Sequence, residues 1–143
     1  MSEHIILATS YGMALADASV PCVITQWHGF ANKTEFIALQ GAALAYFEQQ
    51  ATSDKPWGWV GDVRHMGAIP EEAQRWLQDE FNPRALAAGL RVVHVVVAES
   101  IFGQIATQRY AQQTVTSTAA LGVTYYSSLT AAKAGARQEL LAQ

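Results

Sequence analysis

Apolar residues recur along the chain with two spacings, one typical of strands and the other of helices. Five short runs, most of them rich in β-branched or aromatic residues, predict strands. These runs are His4–Ala8, Val20–Trp27, Trp57–Val63, Arg91–Ala98 and Val123–Tyr126. Apolar positions three or four residues apart predict helices between them. The helices are expected over about Lys33–Gln50, Pro70–Phe81, Gln104–Gln113 and Ser128–Leu141, with a further turn at Arg84–Ala88. Asn32, Ser100 and Ser128 are the predicted N-caps of the first, third and last of these helices, and a turn is expected at His28–Phe30.

The order of these elements predicts a single-domain α/β fold over residues 1–143, with a mixed sheet of about five strands. The first two strands are separated by a turn region that holds Gly12 and Asp17, so we expect them to pair antiparallel. From the second strand onward a helix follows each strand, which implies parallel pairing with right-handed crossovers. The valines of RVVHVVVA point to both faces, as in a central strand that helices cover on each side.

Composition and charge exclude several classes of function. Half of the 143 residues are apolar and 15% are charged, which is typical of a globular domain. The net charge of -3 argues against nucleic acid as a partner, because nucleic-acid binding depends on clustered Lys and Arg. The apolar run near the N-terminus is too short for a signal peptide, and no run is long enough for a membrane span. The single cysteine, Cys22, has no internal disulfide partner, and we expect a cytoplasmic protein.

The stretch from Trp57 to Trp76 carries the candidate site, because it reads as a strand, a polar turn and a helix in succession. In open α/β sheets, ligands and partners bind where strands pass into helices. If the Trp57–Val63 and Arg91–Ala98 strands are adjacent and parallel, their polar ends meet at one edge of the sheet. The candidate partner-binding or ligand-binding residues are Asp62, Arg64 and His65 in the turn, Glu71 and Trp76 on the helix, and Glu99 and Ser100 after the valine-rich strand.

These residue types allow more than one function. A carboxylate, an imidazole and a guanidinium together can bind an anion or transfer protons, whereas an Asp62–Arg64 ion pair would serve structure alone. No nucleophile elbow, phosphate loop or dinucleotide glycine motif is present. Asp62 and His65 are ligand types, but no HxxxH pair or cysteine set supports them, so neither a metal nor a cofactor is predicted. His94 lies inside the valine run and is expected to be buried with hydrogen-bonded nitrogens.

Four local patterns resemble the STAS-like proteins, the anti-sigma-factor antagonist fold that is remotely related to the CRAL-TRIO lipid carriers. They are WHGFANKTEF, WVGDVRHMG, NPRALAAGLRVVHVVVAES and VTYYSSLTAAKA. Together with the order of elements, they are similar to a group of small bacterial STAS-like proteins over most of residues 20–140. The resemblance implies a regulatory α/β domain that acts by contacting another protein. No diagnostic catalytic motif lies within it.

The chain departs from the regulatory members of that family at the central turn. Those members carry a phosphorylatable Ser or Thr where the helix after the central strand begins. Here the turn runs from Asp62 to Ala68, and no Ser, Thr or Tyr occurs between Asp54 and Glu99. Because a phosphate switch needs a hydroxyl group, we expect no partner switching through this turn.

The sequence therefore favours a non-enzymatic STAS-like module that binds another protein or itself, with homodimers as one form. The alternative is a small-molecule or lipid carrier, in which some of the four tryptophans line an apolar pocket. An enzyme that uses Asp62 and His65 is the third hypothesis. A cavity of roughly 300 Å³ or more lined by Trp side chains would favour the carrier.

Overall fold

A six-stranded mixed sheet organises the protein. The computed structural model describes residues 3–102 and 121–143, and the sheet order follows the chain, β1-β2-β3-β4-β5-β6. The strands are β1 (Glu3–Ala8), β2 (Gly12–Asp17), β3 (Cys22–Gly29), β4 (Gly58–Met66), β5 (Val92–Val96) and β6 (Gly122–Tyr126). β1, β2 and β3 pair antiparallel, whereas β3 to β6 are parallel. The predicted mixed α/β fold is confirmed.

The number of strands and the pairing of the first two predicted strands were wrong. The region expected to turn around Gly12 and Asp17 is a full strand, β2, which lies between the two and pairs with both. GMALAD was missed because alanine and glycine have low intrinsic strand preference. It is a strand because β1 and β3 supply hydrogen-bond partners on both sides.

Two of the helices begin at predicted caps. Asn32 caps α1 (Lys33–Gln50): its side chain accepts from the backbone N–H of Glu35, while the Glu35 carboxylate accepts from the Asn32 N–H. This capping box satisfies two helix-end donors. Ser128 caps α4 (Leu129–Leu141) by accepting from the N–H of Ala131 at 3.1 Å. Both caps position helices that follow a parallel strand.

The helix predicted over Pro70–Phe81 is not continuous. It consists of α2 (Glu71–Trp76) and a π-helical turn (Leu77–Phe81), and α3 (Asn82–Ala87) follows directly. Pro83 lacks the N–H that a regular helix needs at that position, and its ring crowds the preceding turn. The interruption therefore lies just before the proline.

Side chains on the two faces of the sheet form two apolar clusters. One face packs under α1, α2 and α3, and its aromatic centre is Trp59 with Phe47 and Phe81 at ring-centroid distances of 5.7 and 5.0 Å. The other face packs under α4 through small residues, among them Ala132 and Ala136. A Cβ on Gly58 would lie 3.4 Å from the Ala136 Cβ, so the helix lies close to the sheet.

The predicted helix over Gln104–Gln113 and the polar segment 114–120 lie outside the described residues. A helical turn begins at Glu99 and is described through residue 102. The sequence predicted Ser100 as the N-cap of this helix. That prediction was wrong, because Ser100 already lies inside the helix. Within the described part of the chain, every helix is too short or too polar to cross a membrane.

Candidate functional site

The carboxyl ends of the parallel strands bring three of the predicted residues together. β4 and β5 are adjacent and parallel, with Trp59 opposite Val93 and Asp62 opposite Val96. Asp62, Arg64 and His65 were expected in a turn, but all three lie within β4, which continues to Met66. The prediction that the two strands are parallel neighbours is confirmed, and the prediction of where the strand ends was wrong.

Asp62 and Arg64 form a bidentate ion pair at this edge. Arg64 donates from Nε to Oδ1 of Asp62 at 2.9 Å and from Nη2 to Oδ2 at 2.7 Å. On β3, Gln26 donates from Nε2 to Oδ2 at 3.3 Å. Asp62 is buried, with 4% of its surface exposed, while a third (33%) of the Arg64 side chain is exposed. The buried carboxylate therefore fixes a guanidinium that still faces solvent.

The ionisation of this pair is stable near neutral pH. Burial of Asp62 by itself raises its pKa, but the hydrogen bonds and the charge of Arg64, with the bond from Gln26, outweigh burial and lower the pKa below its ordinary value of 3.8. The hydrogen bond to Asp62 raises the pKa of Arg64 in turn. Both shifts favour the charged forms, so Asp62 is an anion and Arg64 a cation near pH 7.

A bulge in β4 sets the positions of the residues after Asp62. Gln26 is opposite Asp62, but His28 is opposite His65, so β4 has one more residue than β3 over this interval. Inside the bulge, the Arg64 backbone N–H donates to Oδ1 of Asp62 at 3.3 Å. His28 and His65 then lie side by side on neighbouring strands, and both are exposed.

The loops that follow β3 and β4 are joined by a close backbone contact. The N–H of Gly67 donates to the carbonyl oxygen of Gly29 at 2.8 Å, and Gly29 has a φ of 79°, a conformation that favours glycine. A Cβ on Gly67 would lie 3.3 Å from the Gly29 carbonyl oxygen and 3.4 Å from Phe30 Cα. The contact holds the loop with Phe30, a side chain 61% exposed, beside the end of β4. We call His28, Phe30, Arg64 and His65 the rim.

The two predicted residues on α2 do not join the Asp62–Arg64 pair. Glu71 is exposed and pairs with Arg75, one turn along the same helix, at 3.0 Å. Trp76 is half-buried and packs against Phe81 at a ring-centroid distance of 6.2 Å. Glu71 thus supports its own helix, and Trp76 belongs mainly to the core.

Glu99 and Ser100 lie at the same edge of the sheet, beyond the end of β5. Both are exposed, and no hydrogen bond or ion pair among the described residues connects either of them to Asp62, Arg64 or His65. Both groups of predicted residues therefore lie at the same edge of the sheet, as predicted. No hydrogen bond or ion pair among the described residues joins the group on β4 to the group after β5. Within residues 3–102 and 121–143, no group of three His, Cys, Asp or Glu side chains is arranged to hold a metal ion.

Two rim residues and Gln26 were missed from the sequence. Gln26 was part of a predicted strand, but its bond to Asp62 depends on the β3–β4 register. Phe30 and His28 were assigned only to a turn. The signal for them was Gly29, since a glycine between two bulky residues just after a strand marks a tight exit from the sheet.

His94 is buried, as predicted, and both ring nitrogens have partners. Nδ1 lies 2.9 Å from the hydroxyl of Tyr126 on β6, and Nε2 lies 3.3 Å from Oε1 of Glu139 on α4. His94 is 2% exposed, so this polar group lies inside the sheet–helix interface. Its contacts tie β5 and β6 to α4 and leave no free nitrogen for a ligand.

Two cavities lie at the opposite, amino edge of the parallel strands. The larger, about 540 Å³, is bounded by the turn between β2 and β3, the end of α1, the loop before β4 and the end of α4. The smaller, about 300 Å³, shares Pro56 and Trp57 with it. Trp27, by contrast, stacks on Phe36 at 4.6 Å, and Trp59 lies in the core. Trp57 lines both of these cavities.

Comparisons with protein-family models, curated proteins and solved structures found no match to this chain.

Proposed function

We propose that this protein is a non-enzymatic STAS-like module that binds another protein through the rim. The observation that carries the proposal is the Arg64 guanidinium, held by two hydrogen bonds to a buried carboxylate and still one-third exposed. Arginine and aromatic residues are enriched at the centres of protein interfaces. An immobilised arginine loses less conformational entropy on binding than a free one.

The rim offers a partner both polar and apolar contacts. Of the five N–H donors of Arg64, those at Nε and one at Nη2 bond to Asp62, so the others can reach a carbonyl or carboxylate of a partner. Phe30, in the loop that contacts Gly67 after β4, provides an exposed aromatic surface. The expected partner is a protein surface that combines an apolar side chain with such an acceptor.

The state of Asp62 supports binding over catalysis. Its pKa is lowered, and both of its oxygens accept hydrogen bonds. A general base instead requires a pKa near the working pH and a free lone pair facing the substrate. His65 is not hydrogen-bonded to Asp62 in the described structure, so the pair does not form a proton relay.

Affinity capture with rim variants tests the proposal. Purified wild-type protein and the variant Phe30→Ala/His65→Ala, which leaves the Asp62–Arg64 pair intact, are each used to capture proteins from a cell lysate. The captured proteins are quantified by mass spectrometry. The matched control is His4→Ala/Arg91→Ala, whose two residues are exposed and lie toward the amino edge. We expect specific partners to be lost from the rim variant and kept by the control.

Equal recovery of every partner by wild type and rim variant, with both variants folded, would refute the rim as the docking surface. Self-association is the other form of the same proposal, and native mass spectrometry of the wild type and the rim variant measures it directly. On the basis of the STAS-like resemblance, we also propose that the protein is bacterial and cytoplasmic. The second candidate function, binding of a small apolar ligand, is favoured by the cavity beside Trp57.

A further inference from the structure

The larger cavity at the amino edge is an apolar groove between four elements. Its volume of about 540 Å³ lies within the range of small-molecule sites, roughly 300–1,000 Å³. Apolar side chains from the turn between β2 and β3, the loop before β4 and the end of α4 form most of its wall. They are Val20, Pro21, Pro56, Trp57, Leu140 and Leu141.

Both charged side chains that line this groove are cationic. Lys55 comes from the loop before β4, and Arg137 comes from α4. Arg137 donates from Nη2 to the carbonyl oxygen of Ser19 at 3.0 Å, which holds its guanidinium at the groove. No Asp or Glu is among the residues that line the groove in the described structure. The wall therefore combines an apolar surface with two cationic side chains.

We propose that this groove binds a small amphipathic anion, with its apolar body against Trp57 and Leu140 and its anionic head between Lys55 and Arg137. A neutral apolar molecule offers the two cations no anionic partner, whereas a carboxylate or sulfonate head supplies acceptors for charge-assisted hydrogen bonds. The inference rests on the second candidate function and is independent of docking at the rim, since the groove lies at the other edge of the sheet.

Isothermal titration calorimetry with decanoate tests this assignment. Monodecanoin, an uncharged molecule with the same acyl chain, is titrated in parallel to separate the head from the tail. We expect one decanoate per chain. In Lys55→Glu/Arg137→Glu, we expect its affinity to fall by at least about tenfold, with monodecanoin affected much less. Leu141→Asp, at a side chain that is 79% exposed, is expected to weaken both ligands without unfolding the protein.

The matched control is Lys33→Glu/Arg75→Glu, which makes the same change in net charge at exposed positions outside the groove. It should bind decanoate as the wild type does. Three outcomes would overturn the proposal: no binding by the wild type, equal loss in the control, or unchanged binding by Lys55→Glu/Arg137→Glu. Loss of rim-dependent partners bears only on the proposed protein docking, so the two hypotheses fail separately.

Discussion

The Asp62–Arg64 ion pair makes the sharpest prediction about stability. Arg64→Ala removes both hydrogen bonds that the Arg64 side chain donates to Asp62, a residue that is 4% exposed. Gln26 Nε2, at 3.3 Å, and the backbone N–H of residue 64 remain as donors. They do not carry a charge that compensates Asp62. The variant therefore holds a buried and uncompensated anion at neutral pH.

The expected loss of stability in Arg64→Ala lies between that for a fully buried ion pair and that for an exposed one. Removing one partner of a fully buried ion pair costs about 3–5 kcal/mol, while exposed pairs contribute about 0–1 kcal/mol. Because Arg64 is one-third exposed, solvent screens part of its charge, and we expect the free energy of unfolding to fall by about 2–3 kcal/mol at pH 7. For a chain of this length, that corresponds to a decrease in Tm of roughly 8 °C.

The cost should depend on pH with a defined sign. In the wild type, Asp62 has a folded pKa below its unfolded value of 3.8, so its stabilising contribution is complete above that value and is lost as the pH falls through the folded pKa. In Arg64→Ala, burial remains without the cation and raises the folded pKa. The destabilisation is then greatest above the raised pKa, and it is relieved as the pH falls from there towards 3.8.

Urea unfolding followed by circular dichroism at pH 7, 5 and 4 measures this difference. Arg75→Ala is the control, because it breaks an exposed pair with Glu71 and should cost no more than about 0.5 kcal/mol at any of these values. Asp62→Asn/Arg64→Ala lacks the carboxyl group and should lose the pH dependence. A cost for Arg64→Ala below about 0.5 kcal/mol, or one that does not change with pH, would refute the account of the pair.

Two further predictions concern glycine and cysteine positions. Gly12→Ala places a Cβ 2.4 Å from the backbone oxygen of Gln26, so we expect the free energy of unfolding in urea to fall by about 3 kcal/mol or more. In Gly41→Ala, in α1, the added Cβ meets nothing within 4 Å, and the free energy of unfolding should rise by about 1 kcal/mol. Equal effects of the two changes would contradict this β2–β3 packing. Burial raises the pKa of the Cys22 thiol to about 12, so the folded protein at pH 8 should react with a thiol reagent only as fast as it unfolds. Rapid labelling in native buffer would show that Cys22 is accessible.

Local patterns in the sequence predicted the features that depend on neighbouring residues. Asn32 and Ser128 were identified as caps because a capping side chain bonds to a backbone group three residues away. The parallel pairing of β4 and β5 followed from the helical connection between them. For the same reason, the edge that holds Asp62 and Glu99 was predictable without coordinates.

Other features depended on partners that are distant in the chain. β2 is composed largely of small residues, and it is a strand because β1 and β3 pair with it from both sides. The bulge after Asp62 exists only in register with β3, so the sequence placed Arg64 and His65 in a turn instead of a strand. Strand register is set by contacts across the sheet, which local spacing does not encode.

The two edges of the sheet differ most clearly in this respect: one was predictable from the sequence, and the other depends on the tertiary structure. The sequence by itself determined which polar residues lie at the carboxyl ends of β4 and β5, because strand direction sets that edge. The groove at the other edge combines Pro21, Lys55 and Arg137, which come from segments far apart in the chain. Only the packing of α4 across the sheet brings them together, because α4 runs back from the carboxyl edge and ends beside the loop before β4.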